Sequence, residues 1–531
     1  MANFDWLNTS IAPMRHSLYI LLFSSLLLGS SCSQPVDFSK LPDTSVIDQY
    51  VTLFNADDDE LYKQYVPNEN AAEFLKENIP LFECPDKELE KTYYFRWWTF
   101  RKHIKKTPDG FVITEFLPQV SWSKKHNTIN CAAQHHMAEG RWLHDSKFLE
   151  SYAHFWFRGG GEPRQYSLAA ASAIWDLFLV NGNKSLVSDL YDDLKLNFAS
   201  WEESRRDSTG LFWQVDGLDG GELSCSGALS PDASGYRPNL NSYMYGDATA
   251  LAKMARLLGK TEDGLFYSEK AEQIKRLVDE KLWDGKDQFY KVIPRFKDGS
   301  PAPCREELGY IPFAYDLADE DKLTAWEQLF DPEGFQAPYG PTTCEQRYPG
   351  YAISYEGHEC QWNGPSWPYA TSQTLNGMYH SLQRFGENVL TRERFFDVLQ
   401  TYSNSHRKDG KCWIDENLNP NTGDWISRTR LMSWENGTWS EEKGGKERGK
   451  DYNHSTFVDI IISGLVGLSA DENGQISVRP LVPEGLWDWW CLRDARIAGK
   501  SVTVVYDRTG KHYGVGKGLS VFSSDSSGLL D

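Results

Sequence analysis

The sequence predicts a mainly α-helical fold, a bundle or toroid of helical hairpins carrying a small carboxy-terminal β appendage. Three observations lead there. Apolar residues recur at helical spacing: "NLNSYMYGDATALAKMARLLGK" aligns Leu240, Tyr243, Met244, Ala248, Leu251, Ala255 and Leu258 on one face, and "STFVDIIISGLVGL" does the same with Phe457, Ile460, Ile461, Leu465 and Leu468. Beyond Asp471 the pattern changes to alternation and turns in "GQISVRPLVP", "GKSVTVVYD" and "KGLSVF", which read as short strands. At 531 residues the chain can bury a large core and hold a real pocket, as two or three units or as one all-helical toroid with appendages.

The elements follow in order. "MRHSLYILLFSSLLLGSSCSQP" joins Arg15 and His16 to an apolar run, small residues and Cys32, the pattern of a signal peptide over 14–32. The expected location is therefore outside the cytoplasm, periplasmic or as an outer-membrane lipoprotein. Lipidation of Cys32 would anchor the protein to a membrane, although Gly29 stands where a lipobox usually has Leu. The run is too short for a confident membrane span. Residues 33–124 form a tether and leading segment, polar up to about 80 and then extended or strand-bearing through "TYYFRWWTFRKH" and "GFVITEF". Residues 125–470 form the helical body, with segments at 165–180, 186–203, 264–283, 322–330, 365–384 and 390–404 joined by Trp- and Gly-rich loops. Residues 471–531 form the β appendage.

Composition narrows the function. A net charge of −20 with no basic cluster argues against nucleic acid as a partner. Aromatic residues make up 14% of the chain, including 20 Trp and 26 Tyr, and flat amphipathic rings are natural partners of sugar faces. Apart from Cys32, the cysteines are Cys84, Cys131, Cys225, Cys304, Cys344, Cys360, Cys412 and Cys491. One or two disulfides are allowed, and the lack of a C-x-x-C pair disfavours a zinc ribbon or a redox motif.

Cleaving a glycoside requires an acid to protonate the leaving oxygen and a second carboxylate to activate water or attack the anomeric carbon. Two loops supply candidates. "QVDGLDGGELSCSG" carries Asp216, Asp219 and Glu222 among glycines, and mutual repulsion in such a cluster keeps one carboxyl protonated. A solvated acidic loop or a calcium site is the plain alternative. "CWIDENLNPNTGDW" carries Asp415, Glu416 and Asp424 between Trp413 and Trp425, indoles that would desolvate a base; an ordinary turn with surface acids is the alternative there.

In order along the chain, "GGELS", "WNGPSWP" and "ENLNPNTG" resemble three signatures of the six-hairpin glycosidases allied to glycoside hydrolase family 63, with trehalases as distant relatives. The resemblance covers roughly 125–470. It implies an (α/α)6 toroid and an inverting α-glycosidase acting on an oligosaccharide or small glycoside, without an organic cofactor. It implies Glu222 as general acid, in place of the family's Asp and with Asp219 as a rival, and Glu416 as general base. Leu418 replaces the usual aromatic. The W-x-G-P-x-W element implies that Trp362, Asn363 and Trp367 line the sugar subsite, with Gln361 beside them. Glu139, Arg141, Trp142 and Asn241 are further expected sugar contacts.

His135, His136 and Glu139 raise a metal question, but a site needs a third ligand, which His454 or His126 could supply only by tertiary accident, so core or hydrogen-bonding histidines are expected and no metal. Two rival readings stand beside the hydrolase. One is a toroid polysaccharide lyase recruiting Tyr452 and His454. The other is a non-catalytic glycan-binding lipoprotein, suggested by Glu at the acid position.

Overall fold

The computed structural model describes residues 38–433, 444–445 and 447–525. The expected leader at 14–32, with Cys32, lies outside them. No helix among the described residues is long and apolar enough to cross a membrane.

Two concentric rings of helices form the body. The inner ring comprises Ala133–Gly140, Ala170–Asn181, Pro238–Leu257, Ile311–Ala314, Pro368–Phe385 and the turn Phe457–Asp459, which continues into the π-helical Ile460–Leu465. Each inner element packs on the next, and Phe457–Asp459 returns to Ala133–Gly140, so the ring closes. The outer elements are Lys87–His103, Lys147–Arg158, Lys184–Arg205, Thr261–Lys281, the 3₁₀ segment Glu320–Phe330 and Arg392–Ser405. This is an (α/α)6 toroid.

Local chemistry sets the helix starts. Pro238 and Pro368 occupy first-turn positions, where a missing N–H is harmless. The side chains of Asp86, Asn183 and Thr391 accept hydrogen bonds from the first-turn amides of three outer helices. Inner helices tolerate buried polar groups because neighbours use them: Asp247 Oδ1 accepts the Ser172 amide at 2.9 Å and caps the adjacent inner helix.

The segment before 125 differs from expectation. "TYYFRWWTFRKH" is not extended but forms the Lys87–His103 outer helix, buried on nearly every side, followed by a hairpin of Ile104–Thr107 with Gly110–Ile113. Aromatic and β-branched residues favour strands only through packing on a pleated face. Here the rings pack around a helix instead, as in the Tyr50–Tyr94 and Phe95–Trp98 stacks. The outer helix touches both Arg392–Ser405 and Phe457–Asp459, so the toroid draws on residues before 125.

The appendage also borrows from the leading segment. Leu81–Glu83 pairs antiparallel with Trp489–Ile497, followed by Lys500–Asp507 and Gly518–Asp525, in one four-stranded sheet. Trp490, Leu492, Ile497, Val502 and Val504 join the same apolar core as the helices. The eight described cysteines are free thiols.

A buried charge cluster ties the leading segment to the chain at 450–451. Lys102 Nζ contacts Asp58 Oδ2 at 2.8 Å and Asp451 Oδ2 at 2.6 Å, while Lys450 Nζ meets Asp58 Oδ1 at 2.8 Å. Burial raises the Asp58 pKa, but Lys102, Lys450 and Asn68 outweigh it and hold the carboxyl well below its ordinary range. A depressed folded-state pKa contributes stability above the unfolded value near ~3.9 that is lost as pH falls through the folded value. Asp58→Asn should therefore lower the melting temperature at pH 7 and flatten its fall below about pH 4. Acid titrations of melting temperature that run parallel in the two proteins would disprove this reading of Asp58.

Candidate active site

Loops before the inner helices meet at one end of the toroid around a cavity of about 300 Å³. Glu222 and Glu416, far apart in sequence, both line it, together with Trp362 and Trp367.

The acid loop is held by its own polar groups. Asp216 Oδ1 accepts the Gly217 amide at 2.7 Å and Oδ2 accepts the Ser224 amide at 3.3 Å, so this carboxylate staples the turn. Gly220 has φ of +71°, and a Cβ there would lie 2.5 Å from Cys131 Sγ; both facts call for glycine. Burial, with the charges of Asp216, Glu416 and Glu359, pushes the Glu222 carboxyl up to about 7 despite an opposing amide contact. Asp219 is differently placed. Arg237 Nε donates to its Oδ2 at 2.7 Å and Asn239 Nδ2 donates to the same oxygen, which ties it into an ion pair beside a separate, much smaller cavity.

The base loop is anchored to the tryptophan turn. Ser366 and Leu418 exchange both backbone hydrogen bonds at 3.0 Å, and the Trp362 amide donates to the Glu222 carbonyl at 3.1 Å. The "WNGPSWP" turn thus splices the acid loop to the base loop. Glu416 Oε1 receives Arg448 Nε at 3.1 Å, and the Cys360 thiol lies 3.6 Å from Oε2. Arg448 also contacts Glu359. The expected indole wall is corrected: Trp425 is buried and donates to the Arg407 carbonyl, while Trp413 lines a different cavity. The indoles that share the cavity with the base are Trp122, Trp362 and Trp367.

Trp362 and Trp367 stack with centroids 4.5 Å apart and planes 16° from parallel. Trp367 is buried and donates its Nε1–H to the Gln361 carbonyl at 2.7 Å, whereas the Trp362 Nε1–H has no protein partner. Trp362 is thus the ring available to a ligand and Trp367 its backing. Trp362→Ala should raise KM about 2- to 10-fold, the equivalent of ~0.5–1.5 kcal/mol of stacking, with the fold retained. Trp367→Ala should in addition cost about 3–5 kcal/mol of stability. Steady-state kinetics and chemical denaturation of the two variants separate these roles; equal melting losses would make both rings simple core.

Other expected contacts lie elsewhere. Gln361 supports its own loop, its amide carbonyl accepting from the Ser354 amide at 3.4 Å. The Asn363 carbonyl accepts the Ala352 amide at 2.9 Å, behind the cavity wall. Asn241 is fully buried and ties the start of the Pro238–Leu257 helix to Phe212. Glu139, Arg141 and Trp142 gather around Asp459: Glu139 Oε2 accepts the Asp459 amide at 3.1 Å, while Arg141 Nη2 and Trp142 Nε1 each donate to Asp459 Oδ1 at 2.7 Å. Arg141 and Trp142 face another cavity toward the far ends of the inner helices. His135 meets the Tyr369 carbonyl at 3.3 Å and His136 the Asn453 carbonyl at 2.6 Å, and the described residues hold no cluster of metal-ligating side chains.

Sequence reasoning missed Glu115, Glu359, Arg448 and Cys360 as cavity residues. No spacing in the sequence links these four residues.

Known proteins resemble this chain in family and fold. The model of the "Mannosylglycerate hydrolase MGH1-like glycoside hydrolase domain" matches residues 125–455. A solved structure titled "Sialidase" is similar with a TM-score of 0.84 and 37% identity over 91% of this chain, which spans only 43% of that longer chain. A family GH78 rhamnosidase of a Bacillus species shares the fold at TM-score 0.53 and 12% identity, covering 80% of this chain and 40% of its own. An uncharacterized conserved protein from Thermus thermophilus matches at TM-score 0.50 and 14% identity, over 63% of this chain and 98% of its own.

Proposed function

Because the chain belongs to the mannosylglycerate hydrolase MGH1-like glycoside hydrolases, we propose that it cleaves an α-glycosidic bond with inversion, using Glu222 as general acid and Glu416 as general base. The observation that carries the assignment is the pairing of two different carboxyls on one cavity. Glu222 is half-buried among other carboxyls and pushed up to about 7, whereas the buried Glu416 sits in an ion pair with Arg448. An acid that holds its proton near neutral pH beside a second carboxyl is what glycoside hydrolysis requires, and inversion is taken from the family resemblance.

The cavity argues for a neutral sugar. Among the described residues, four carboxyls, from Glu115, Glu222, Glu359 and Glu416, line it with one arginine, and that arginine pairs with Glu359 and Glu416. A uronate or sialate would meet a guanidinium whose charge two carboxylates already offset. The same feature weakens the lyase alternative, which needs a cation for the uronate. Tyr452, its proposed base, is pushed far up by burial and the nearby Glu115 and Glu416, and so resists ionisation. We also infer export through the leader at 14–32; amino-terminal sequencing of the mature protein tests it.

The test of function is release of reducing sugar from a panel of neutral α-linked disaccharides and glycans by wild type and Glu416→Gln. Turnover by wild type alone supports the hydrolase. Binding without turnover by either protein would favour the non-catalytic reading, and ultraviolet-absorbing unsaturated products the lyase.

A further inference from the structure

We propose that Glu115 is a specificity residue of this site: its carboxyl, backed by Tyr452, takes one hydroxyl of the neutral sugar held between Glu222 and Glu416. The inference rests on the glycosidase reading and extends it to a residue outside the acid–base pair.

Glu115 follows the Gly110–Ile113 strand, is buried, and lines the cavity with both catalytic candidates. Its backbone is clamped, since the Asn453 amide donates to the Glu115 carbonyl at 3.1 Å and Asn453 Nδ2 to the Thr114 carbonyl at 3.3 Å. The backbone that carries the carboxyl is therefore fixed. Tyr452 OH donates to Oε1, while Oε2 is buried with no partner in the protein. A buried oxygen left in this way has lost its water and gained nothing, unless a ligand supplies the missing bond.

The charge environment sets which bond. Burial, and then the charges of Glu416 and Glu222, push the Glu115 carboxyl up to about 8 against the opposing Tyr452 hydrogen bond. With Tyr452 donating to Oε1, the proton falls on Oε2, which then both donates and accepts. A sugar hydroxyl does the same, so the two groups are matched. Three more polar atoms of the lining also have no protein partner: Trp362 Nε1, Arg448 Nη1 and His454 Nε2. A set of unpaired donors and acceptors around one space suits a polyhydroxylated ring better than an apolar ligand.

The experiment compares Glu115→Leu with Glu115→Gln, whose amide keeps a donor and an acceptor. On neutral glycosides cut by wild type, Glu115→Leu should lose about 30- to 100-fold in kcat/KM, and Glu115→Gln should recover about tenfold of that. Across a series of monodeoxy glycosides, one should be cut equally by wild type and Glu115→Leu, because its missing hydroxyl is the one Glu115 takes. A structural role would cost every member of the series alike and would overturn the proposal. Glu115→Gln as inert as Glu222→Gln would also overturn it, making Glu115 a proton donor. A second arm does not depend on turnover: the infrared carbonyl band of a protonated carboxyl that is present in wild type at pH 7 and lost in Glu115→Gln should shift on adding glucose, mannose, galactose or arabinose. If wild type cuts no glycoside, the glycosidase reading falls. The band then still decides for Glu115, an absent or unmoved band counting against it.

Discussion

Glu416→Gln is expected to lower hydrolysis of every substrate by about 10²–10⁴-fold, with little dependence on the leaving group. The amide keeps the size of the carboxylate and cannot take a proton from water. Arg448 retains its contact with Glu359, so the guanidinium is not left wholly unpaired and the fold should persist. The loss should be expressed in kcat, since water gives up its proton to the base only in the transition state. Reducing-sugar assays at saturating substrate check this, and turnover within threefold of wild type would remove Glu416 from the mechanism. Azide added to Glu416→Ala should restore turnover and give a β-glycosyl azide from an α-linked substrate, which confirms that Glu416 works on the face opposite the leaving group; the configuration of the first wild-type product then decides between inversion and retention.

Much of the toroid and of the central site was legible in the sequence, for a physical reason. In this fold the site is built from the loops that enter the inner helices, and Glu222, Trp362, Trp367 and Glu416 lie in or beside such loops with glycine and proline turns. Their order along the chain therefore carried their convergence. Arg141 stands at the other end of the short helix that begins at Ala133, a rise of about 12 Å at ~1.5 Å per residue, and so faces a different cavity. Asn241 lies within reach of the acid loop, but its amide is consumed by Phe212 and Arg237. The opposite failure is Glu115, Glu359 and Arg448. These come from separate stretches of chain with no shared spacing, and only tertiary packing makes them neighbours. The Lys87–His103 helix was hidden for a related reason, because its burial on nearly all faces erases the periodicity by which a half-exposed helix is read.

Glu222→Gln should behave differently from the Glu416 variant, and the difference identifies the acid. Glycosides with poor leaving groups need the departing oxygen protonated, so their turnover should fall by about 10²–10⁴-fold, while those with activated phenolic leaving groups should fall far less. The pH dependence follows from the protonation state. The working form of Glu222 is the acid, and its carboxyl is raised to about 7, so kcat/KM on natural glycosides should decline as pH rises through that value. Glu222→Gln should lose that limb, as should wild type acting on activated glycosides. An equal loss on both substrate classes would reject Glu222 as the donor. If Asp219→Asn shows the selective pattern instead, the acid lies three residues earlier, and the Arg237 ion pair that now holds Asp219 would have to open during catalysis. The same variants bear on the geometry. Inversion requires room for water between the carboxyls, a separation of about 6.5–9.5 Å against about 5–5.5 Å for a retaining pair. Proton NMR of early products should accordingly show β-configured sugar from an α-linked substrate, formed at a rate that Glu222→Gln lowers and an activated leaving group restores.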